Sequence, residues 1–334
     1  MSRTDWNNVV SDPASVLPAH QRNSGMPLNL DWFIGARVNL SAAERRAKTL
    51  VSRRSVKKSY QAAWLVRAIQ CMDLTTLAGD DTPSRVQRLC EKAKRPVRSD
   101  IISGLGLTGA PPTTGAVCVY PTMVEHAVKF LAGSNIPVAS VATGFPAGLT
   151  PMRQRLEEIR YAVDAGAGEI DIVVTRAHVL GQEWSALYDE ISAMREACGG
   201  AHLKAILATG DLKTLRNVYR ASMVAMMAGA DFIKTSTGKE DVNATLPVSL
   251  IMCRAIRDYG ARTDQTIGFK PAGGVKTAKD ALAWLILMKE ELGHDWLQPE
   301  LFRFGASSLL GDIERQLEHY LTGRYSAANR HAMA

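Results

Sequence analysis

The sequence has no apolar run long enough to cross a membrane and no recognisable secretion signal. No stretch approaches the roughly 18 residues that a membrane-spanning helix needs, although 46% of the 334 residues are hydrophobic. The first residues, Met1 to Trp6, lack the basic and then apolar pattern of a signal peptide. We therefore expect a cytoplasmic protein without a membrane partner.

Cysteine and histidine are sparse, and neither forms a pattern typical of metal sites or disulfides. The five cysteines are an odd set with no Cys-x-x-Cys pair, which is typical of reduced thiols in the cytoplasm. The sequence contains no His-Glu-x-x-His motif and no His/Cys cluster with zinc-ligand spacing. We therefore expect no bound metal.

Aromatic residues make up only 6% of the chain, and this bears on the interpretation of its formal net charge of +7. Much of the positive excess lies between Arg45 and Arg98. A basic patch can bind nucleic acid, but aromatic residues that could stack on bases are not regularly interleaved with this one, which contains only Tyr60 and Trp64. The pattern favours a solvated helical face, and nucleic acid is not an expected partner. RNA or protein binding by the basic N-terminal region, within residues 1–70, is the alternative.

The N-terminal part of the chain differs in pattern from the rest. Residues 1 to about 40 show little periodicity and predict a partly mobile extension with one short docked segment. A basic amphipathic helical pattern follows from Ser41 to Ile69. Ser41 and Glu44 predict a capping box at the start of this helix.

After this region, eight short apolar segments alternate with longer helical patterns. The predicted strands are Cys71–Leu74, Ala116–Tyr120, Pro137–Ala142, Glu169–Val174, Leu203–Leu207, Phe232–Thr235, Ile267–Lys270 and Phe302–Phe304. Such alternation predicts a parallel sheet, and eight units favour a closed (β/α)8 barrel, the TIM barrel, over an open doubly wound sheet. The predicted fold is therefore α/β, with an N-terminal helical extension at 1–60, a barrel at 61–324 and a C-terminal tail at 325–334.

Active sites of such barrels lie at the C-terminal ends of the strands. Several polar side chains are predicted there, and apart from the lysines, glycines and serines discussed below they include Asp73, Thr75, Cys118, Thr143 and Asp171.

Three lysines, Lys204, Lys234 and Lys270, lie within or at the end of predicted strands. Burial lowers the pKa of a lysine, and neighbouring cations lower one another's pKa further. A neutral amine produced in this way can attack a carbonyl carbon and form a Schiff base. The simpler interpretation is that these side chains extend along the strand ends to reach water. The setting of Lys234 and Lys270 among Gly, Thr, Ser and Pro favours chemistry, and the pattern leaves open which of the two attacks.

An aspartate lies inside the apolar segment 169–174. Strand alternation places Asp171 on the same face as Glu169. A carboxylate in such a segment is costly unless it is paired. Two compatible interpretations follow, a structural ion pair with Lys204 and a proton shuttle beside an imine lysine.

Glycine-rich loops follow the last two predicted strands. Gly273-Gly274 precedes an apparent helix start, and Gly305-Ala306-Ser307-Ser308 follows the eighth strand. In barrels these two loops often bind phosphate through backbone N–H groups. The alternative is that the glycines only make tight turns. Gly238-Lys239 adds a cation to the candidate phosphate site.

These segments resemble the deoxyribose-phosphate aldolase family. The resemblance covers roughly Trp64 to Arg324, in order, and is closer to the longer animal-type members. The segments that carry it are Phe232–Lys239, Gly268–Gly274, Glu169–Asp171, Arg303–Ser308, Asp73–Leu77, Cys118–Pro121 and Thr143–Pro146.

The resemblance implies a metal-free class I aldolase that reversibly cleaves 2-deoxy-D-ribose 5-phosphate to acetaldehyde and D-glyceraldehyde 3-phosphate. It implies that Lys234 forms the Schiff base, so that no cofactor is needed beyond this covalent imine. It further implies that Lys270 is the cation that lowers the pKa of Lys234, and that Asp171 is the acid/base with Lys204 beside it. Substrate or phosphate contacts are implied for Asp73, Thr75, Cys118, Thr143, Gly238, Lys239, Gly273, Gly274, Gly305, Ser307 and Ser308.

The sequence departs from the family at its C-terminus. Some members end in a tyrosine that helps proton transfer, whereas Tyr325 is the last tyrosine here. Another Schiff-base barrel enzyme, such as a transaldolase or a longer-sugar aldolase, would share the lysine and the phosphate site. The expected partner is a small phosphorylated sugar, and the sequence is compatible with a homo-oligomer.

Overall fold

Eight parallel strands form the centre of the fold in the computed structural model, which describes residues 22–327 and 329–332. The predictions for residues 1–21 lie outside the described part. The strands are β1 Met72–Thr75, β2 Ala116–Val119, β3 Val138–Ala142, β4 Glu169–Val173, β5 His202–Ile206, β6 Phe232–Lys234, β7 Gly268–Lys270 and β8 Phe304–Ala306.

Each strand pairs in parallel with its neighbour in sequence from β1 to β7, and β8 pairs with β1. The remaining gap is bridged between β7 and β8 by the pairs Phe269 with Phe302 and Ala272 with Gly305. The barrel is thus nearly closed, and its seam is looser than the rest of the wall. The predicted (β/α)8 barrel is confirmed.

The eighth strand lies two residues later than the sequence pattern predicts. The predicted strand Phe302–Phe304 is wrong, because β8 begins at Phe304 and Phe302 contributes a single bridge. Leu301, Phe302 and Phe304 are all fully buried. Burial therefore does not mark the point at which this strand begins.

Helices surround the barrel and complete the α/β alternation. They are α1 Leu40–Arg53, α2 Lys58–Gln70, α3 Pro83–Lys94, α4 Ser99–Leu105, α5 Val124–Phe130, α6 Met152–Asp164, α7 Arg176–Leu180, α8 Trp184–Ala197, α9 Leu215–Met227, α10 Leu246–Thr263, α11 Ala278–Glu291 and α12 Leu309–Thr322. None of the helices in the described ranges is both long and apolar enough to cross a membrane.

The predicted helix from Ser41 to Ile69 is two helices, α1 and α2, separated by an extended link at 54–57. The predicted capping box at Ser41 is wrong as well. The cap is Asn39, whose side chain accepts a hydrogen bond from the backbone N–H of Ala42. An asparagine is among the preferred N-cap residues, and here it precedes the predicted cap by two positions.

Residues 22–39 pack against the barrel, so the docked part of the N-terminal extension is longer than the sequence pattern predicts. Asn23 is buried, and its side-chain amide donates to the carbonyls of Met226 (2.7 Å) and Ala230 (3.0 Å). Its backbone N–H donates to Asp231 at 2.8 Å. Because these partners lie just before β6, this segment docks near the N-terminal ends of the strands, opposite the expected active site.

The strands turn apolar side chains outward and charged ones inward. Outward residues such as Ile170 and Ile172 join the core between sheet and helices. Their neighbours Glu169 and Asp171 alternate with them and face the interior, where they are buried. The interior of this barrel is therefore filled in large part by charged groups, which determines where its chemistry can occur.

The docking of residues 22–39 generates a stability prediction. Asn23→Ala removes the donors to two buried carbonyls, and an unsatisfied buried polar group costs about 1–3 kcal/mol. We expect the free energy of unfolding, measured by urea denaturation, to fall by about 2–3 kcal/mol. The control is Ser24→Ala, an exposed neighbour whose loss should change stability by less than about 0.5 kcal/mol. Equal stability of the two variants would contradict the account.

Candidate active site

A cavity of about 580 Å3 opens at the C-terminal ends of the strands. Its lining comes from the loops after β1, β6, β7 and β8 and from helix α3. The sequence-predicted residues that line it are Thr75, Lys234, Gly238, Lys239, Gly273, Gly305 and Ser307. These residues are brought together from separate loops, as the barrel model requires.

Beneath the cavity, six charged side chains inside the barrel form a closed cycle of ion pairs, each less than a tenth exposed. We call this the charge ring, and its members in order are Asp171, Lys270, Asp73, Arg303, Glu169 and Lys204. Charges alternate around it, three carboxylates and three cations. They converge because alternation on β1, β4, β5 and β7 turns every second side chain inward.

The upper half of the ring centres on Asp171. This carboxylate accepts hydrogen bonds from Lys270 at 2.7 Å and from Lys204 at 3.2 Å. Lys270 also donates directly to Asp73. Each of the two lysines is fully buried and bonded to two carboxylates, since Lys204 also donates to Glu169.

The lower half of the ring is closed by Arg303. Its guanidinium donates to Asp73 at 2.6 Å and to Glu169 at 2.8 Å. Glu169 in turn accepts from Lys204 at 2.5 Å. Arg303 and Glu169 also border a second depression, at the opposite end of the barrel from the cavity.

Lys234 lies outside the ring and above it. Its Nζ donates to Asp171 Oδ2 at 2.7 Å, and the side chain lines the cavity. Burial lowers the pKa of Lys234, and the nearby charge of Lys270 lowers it further, while Asp171 acts in the opposite direction. The balance leaves the pKa of this amine below the ordinary lysine value.

The ring lysines behave in the opposite way. Burial alone would lower the pKa of Lys270, but Asp171 and Asp73 outweigh it and the pKa is raised. The same competition raises the pKa of Lys204, through Asp171, Glu169 and Asp73. Burial would raise the pKa of Asp171, but three lysines hold it well below its usual range. Of the three barrel lysines, Lys234 is thus the one that faces the cavity with a lowered pKa.

The loops around the cavity depend on glycine at two positions. Gly238 and Gly273 adopt positive φ angles of 86° and 72°, which favour glycine. A Cβ atom on Gly273 would also lie 2.6 Å from the side chain of Asn243. Backbone N–H groups can therefore approach a ligand closely on this side of the cavity.

Two cations beside these loops have no internal partner. Lys239 and Arg88 are exposed, line the cavity, and form no ion pair with any residue that the structure describes. By contrast Arg85, on the same helix as Arg88, is paired with Asp80 at 2.8 Å. Lys239 and Arg88 thus offer positive charge to an anionic group in the cavity.

Five of the predicted substrate contacts do not lie on the cavity surface. Asp73 belongs to the charge ring, and Cys118 packs inside the barrel against Ala139 and Val141. The Thr143 hydroxyl accepts from the Val173 N–H at 2.6 Å. The other two are Gly274, which is outside the cavity lining, and Ser308, which lines a separate depression beside Glu314 and His331. Direct substrate contact by these five residues stays a prediction.

Three charged residues near the site were not identified as functional candidates from the sequence. Glu169 shares a strand face with Asp171, and this alternation was a usable signal. Arg303 lies between the buried residues Phe302 and Phe304, so the same alternation could have placed it inside the barrel. Arg88 lies on α3, a helix that the periodicity analysis did not predict, so no signal pointed to it.

The described residues contain no group of three or more His, Cys, Asp or Glu side chains arranged to hold a metal ion. All five cysteines are buried and form no disulfide. The carboxylates of the charge ring are bonded to lysine and arginine.

Known proteins resemble this chain both in sequence and in fold. Residues 67–310 match the model of the DeoC/LacD family aldolases. The chain is 61% identical over 313 residues to deoxyribose-phosphate aldolase of Homo sapiens, which covers 93% of this chain and 98% of the relative. Identity to the enzyme of the same name from Bos taurus is 60%, with the same coverage.

A solved structure shares the fold. Deoxyribose phosphate aldolase from Aeropyrum pernix, described as tetrameric, superimposes with a TM-score of 0.59 at 20% identity, covering 84% of this chain and 99% of that one. The resemblance found in the sequence motifs is confirmed by the family match over most of the barrel. The chain is an aldolase and belongs to the DeoC/LacD family.

Proposed function

We propose that this aldolase reversibly cleaves 2-deoxy-D-ribose 5-phosphate to D-glyceraldehyde 3-phosphate and acetaldehyde through an imine on Lys234. One observation carries the mechanism: Lys234 is the barrel lysine that lines the cavity, and burial lowers its pKa. The names of the human and bovine relatives support the choice of substrate.

The reaction begins when the neutral amine of Lys234 attacks the aldehyde carbon of the open-chain sugar. Loss of water gives a protonated imine at C1, which withdraws electrons from the bond between C2 and C3. When the hydroxyl on C3 loses its proton, the C2–C3 bond breaks and C3 becomes the aldehyde carbon of D-glyceraldehyde 3-phosphate, which leaves. The electron pair of the broken bond forms the double bond between C1 and C2, and the pair of the imine double bond returns to nitrogen, leaving an enamine. Protonation of the enamine carbon and hydrolysis release acetaldehyde. Because the imine accepts the electrons, the chemistry needs no metal ion or further cofactor.

We assign the proton transfers to Asp171 and the lysines bonded to it. Asp171 contacts the nitrogen of Lys234 at 2.7 Å, and Lys204 lies on its other oxygen. The low pKa of Asp171 keeps it a carboxylate, which can accept a proton transiently and pass it on. Lys204 and Lys270, whose pKa values are raised, stay protonated beside it and can donate protons to it. Lys270 additionally supplies a positive charge that disfavours protonation of Lys234.

We also propose a phosphate subsite on the side of the cavity formed by the loops after β6, β7 and β8. Gly238, Gly273 and Gly305 expose backbone, and Ser307 adds a hydroxyl. Lys239 and Arg88 supply the positive charge that a phosphate dianion requires. We therefore assign the phosphate to the mouth of the cavity, beside these two cations, and the aldehyde carbon to the region above the ring, beside Lys234.

The N-terminal region contributes to packing, which weakens the alternative of a nucleic-acid role. Arg46 and Arg54 form ion pairs with Glu291 and Glu290 of α11, at 2.9 and 2.6 Å. Part of the positive excess is therefore neutralised within the chain. We further propose a cytoplasmic homo-oligomer, supported by the tetrameric A. pernix relative.

The nucleophile is tested by trapping. Lys234→Met keeps the length of the side chain but removes the amine, so turnover should fall by at least about a thousandfold. Borohydride reduction in the presence of acetaldehyde should label the wild-type protein at Lys234, and the variant should remain unlabelled. Mass mapping of peptides locates the label. The matched control is Lys239→Met, which removes another cavity lysine and should still be trapped at Lys234. Label on a different lysine in Lys234→Met would refute the assignment.

The phosphate subsite is tested by removing its charges singly. Arg88→Gln and Lys239→Gln should each raise KM for 2-deoxyribose 5-phosphate about tenfold, because each loses a charge-assisted contact. KM for unphosphorylated 2-deoxyribose should not change, and a panel of longer phosphorylated sugars separates this aldolase from transaldolase activity. Equal effects on the phosphorylated and unphosphorylated sugars would place these side chains away from the phosphate.

A further inference from the structure

Arg303 and Glu169 contribute two of the six charges of the ring, yet neither lines the cavity. Arg303 is held from three sides, by the Pro299 carbonyl, by Asp73 and by Glu169. Glu169 is fixed between Arg303 and Lys204. Two ionised groups buried so firmly and away from substrate call for a role that acts through their neighbours.

We propose that Arg303 and Glu169 are positioning residues that control the protonation of Lys234 by keeping the charge ring electrically neutral. This inference rests on the proposed role of Lys234 as the nucleophile. It assigns to the lower half of the ring a function in catalysis although its members touch no reacting atom.

The charge balance supports this assignment. The ring holds three carboxylates and three cations, so it is neutral without Lys234. A proton on Lys234 would give the buried interior one uncompensated positive charge, which is costly in a medium of low polarity. A neutral ring therefore favours the free amine. The single bond from Lys234 to Asp171 contrasts with the two carboxylate partners of Lys270.

The groups that face Lys234 from the surrounding strands do not change their charge at pH values near 7. From β4, β5, β7 and β1 these groups are Asp171, Lys204, Lys270 and Asp73, and their pKa shifts all favour the ionised forms. From β2, burial raises the pKa of the Cys118 thiol to about 11, so it stays neutral.

The lower groups are equally fixed. The pKa of Glu169 is lowered because Arg303 and Lys204 together outweigh the effect of burial. The pKa of Arg303 is raised because Glu169 and Asp73 together outweigh the effect of burial there. Burial lowers the pKa of His202, which borders the same lower depression, to about 4. Lys234 is thus the group whose protonation the ring leaves adjustable.

The inference predicts shifts of opposite sign for the two residues. Arg303→Gln leaves the ring with one excess negative charge, which stabilises protonated Lys234 and should move the acid limb of the pH–activity profile to higher pH. Glu169→Gln leaves one excess positive charge and should move the limb to lower pH. A unit charge acting through a protein interior shifts such a limb by on the order of one pH unit. The double variant restores neutrality, so the two shifts should largely cancel.

The experiment measures kcat/KM and borohydride trapping with acetaldehyde as functions of pH for the wild-type, both single variants and the double variant. Arg303→Lys is the conservative control, because it keeps the charge and should keep the position of the acid limb. Thermal unfolding verifies that each variant is folded. A purely structural role would lower activity equally at every pH and would leave the limb in place, which would overturn the inference, as would shifts of the same sign.

The outcomes separate this inference from the proposed function. If the wild-type protein is not trapped at Lys234, the proposed function fails. If trapping occurs at Lys234 but no variant moves the limb, only the role of the ring fails. In each single variant, every ring carboxylate that is left keeps at least one cationic partner. In Arg303→Gln, for example, Asp73 retains Lys270 and Glu169 retains Lys204. If Arg303→Gln does not fold, Glu169→Gln tests the inference alone. The inference is then overturned if the acid limb of the pH–activity profile of Glu169→Gln does not move to lower pH.

Discussion

The structure depends on the requirement that charges buried inside a barrel be compensated there. An isolated ion in a dry interior costs far more free energy than a folded domain can spare, so the inward-facing charges must be matched in number and in geometry. The parallel register of the strands meets this requirement. It sets Asp171 of β4 beside Lys204 of β5, and Lys234 of β6 beside Lys270 of β7. The charge ring is the result, and the cavity lies directly above it.

The ring also explains how three chemically identical side chains acquire different properties. Lys204 and Lys270 each bind two carboxylates and remain charged, whereas Lys234 binds one and faces the cavity. The same burial that would destabilise any ammonium group is outweighed at two of these positions and prevails at the third. In the proposed mechanism, nucleophilicity is therefore a property of the position in the barrel, and the lysine side chain supplies only the amine.

Most of the barrel could be predicted from the sequence because parallel strands buried on both faces leave a clear alternation of apolar segments and helices. The lysine at the end of β6 could be found because its loop is rich in small residues. The extent of the ring could not be predicted, since it depends on pairs such as Asp73 with Arg303, which are 230 residues apart in the sequence and meet only when the barrel closes. Arg88 was not predicted as a site residue because the residues of α3 were not identified as a helix. Closure and register are properties of the folded chain, and a local pattern carries little information about either.

The central claim is that the ring makes Lys234 a neutral amine at a pH where other lysines are protonated. Competitive acylation of the wild-type protein across a pH series, with peptide mapping of each lysine, gives the titration curve of this side chain directly. The account predicts that Lys234 titrates below the value of about 10.4 for a free lysine, while Lys204 and Lys270 stay unmodified. Titration of Lys234 at or above the free value would contradict it.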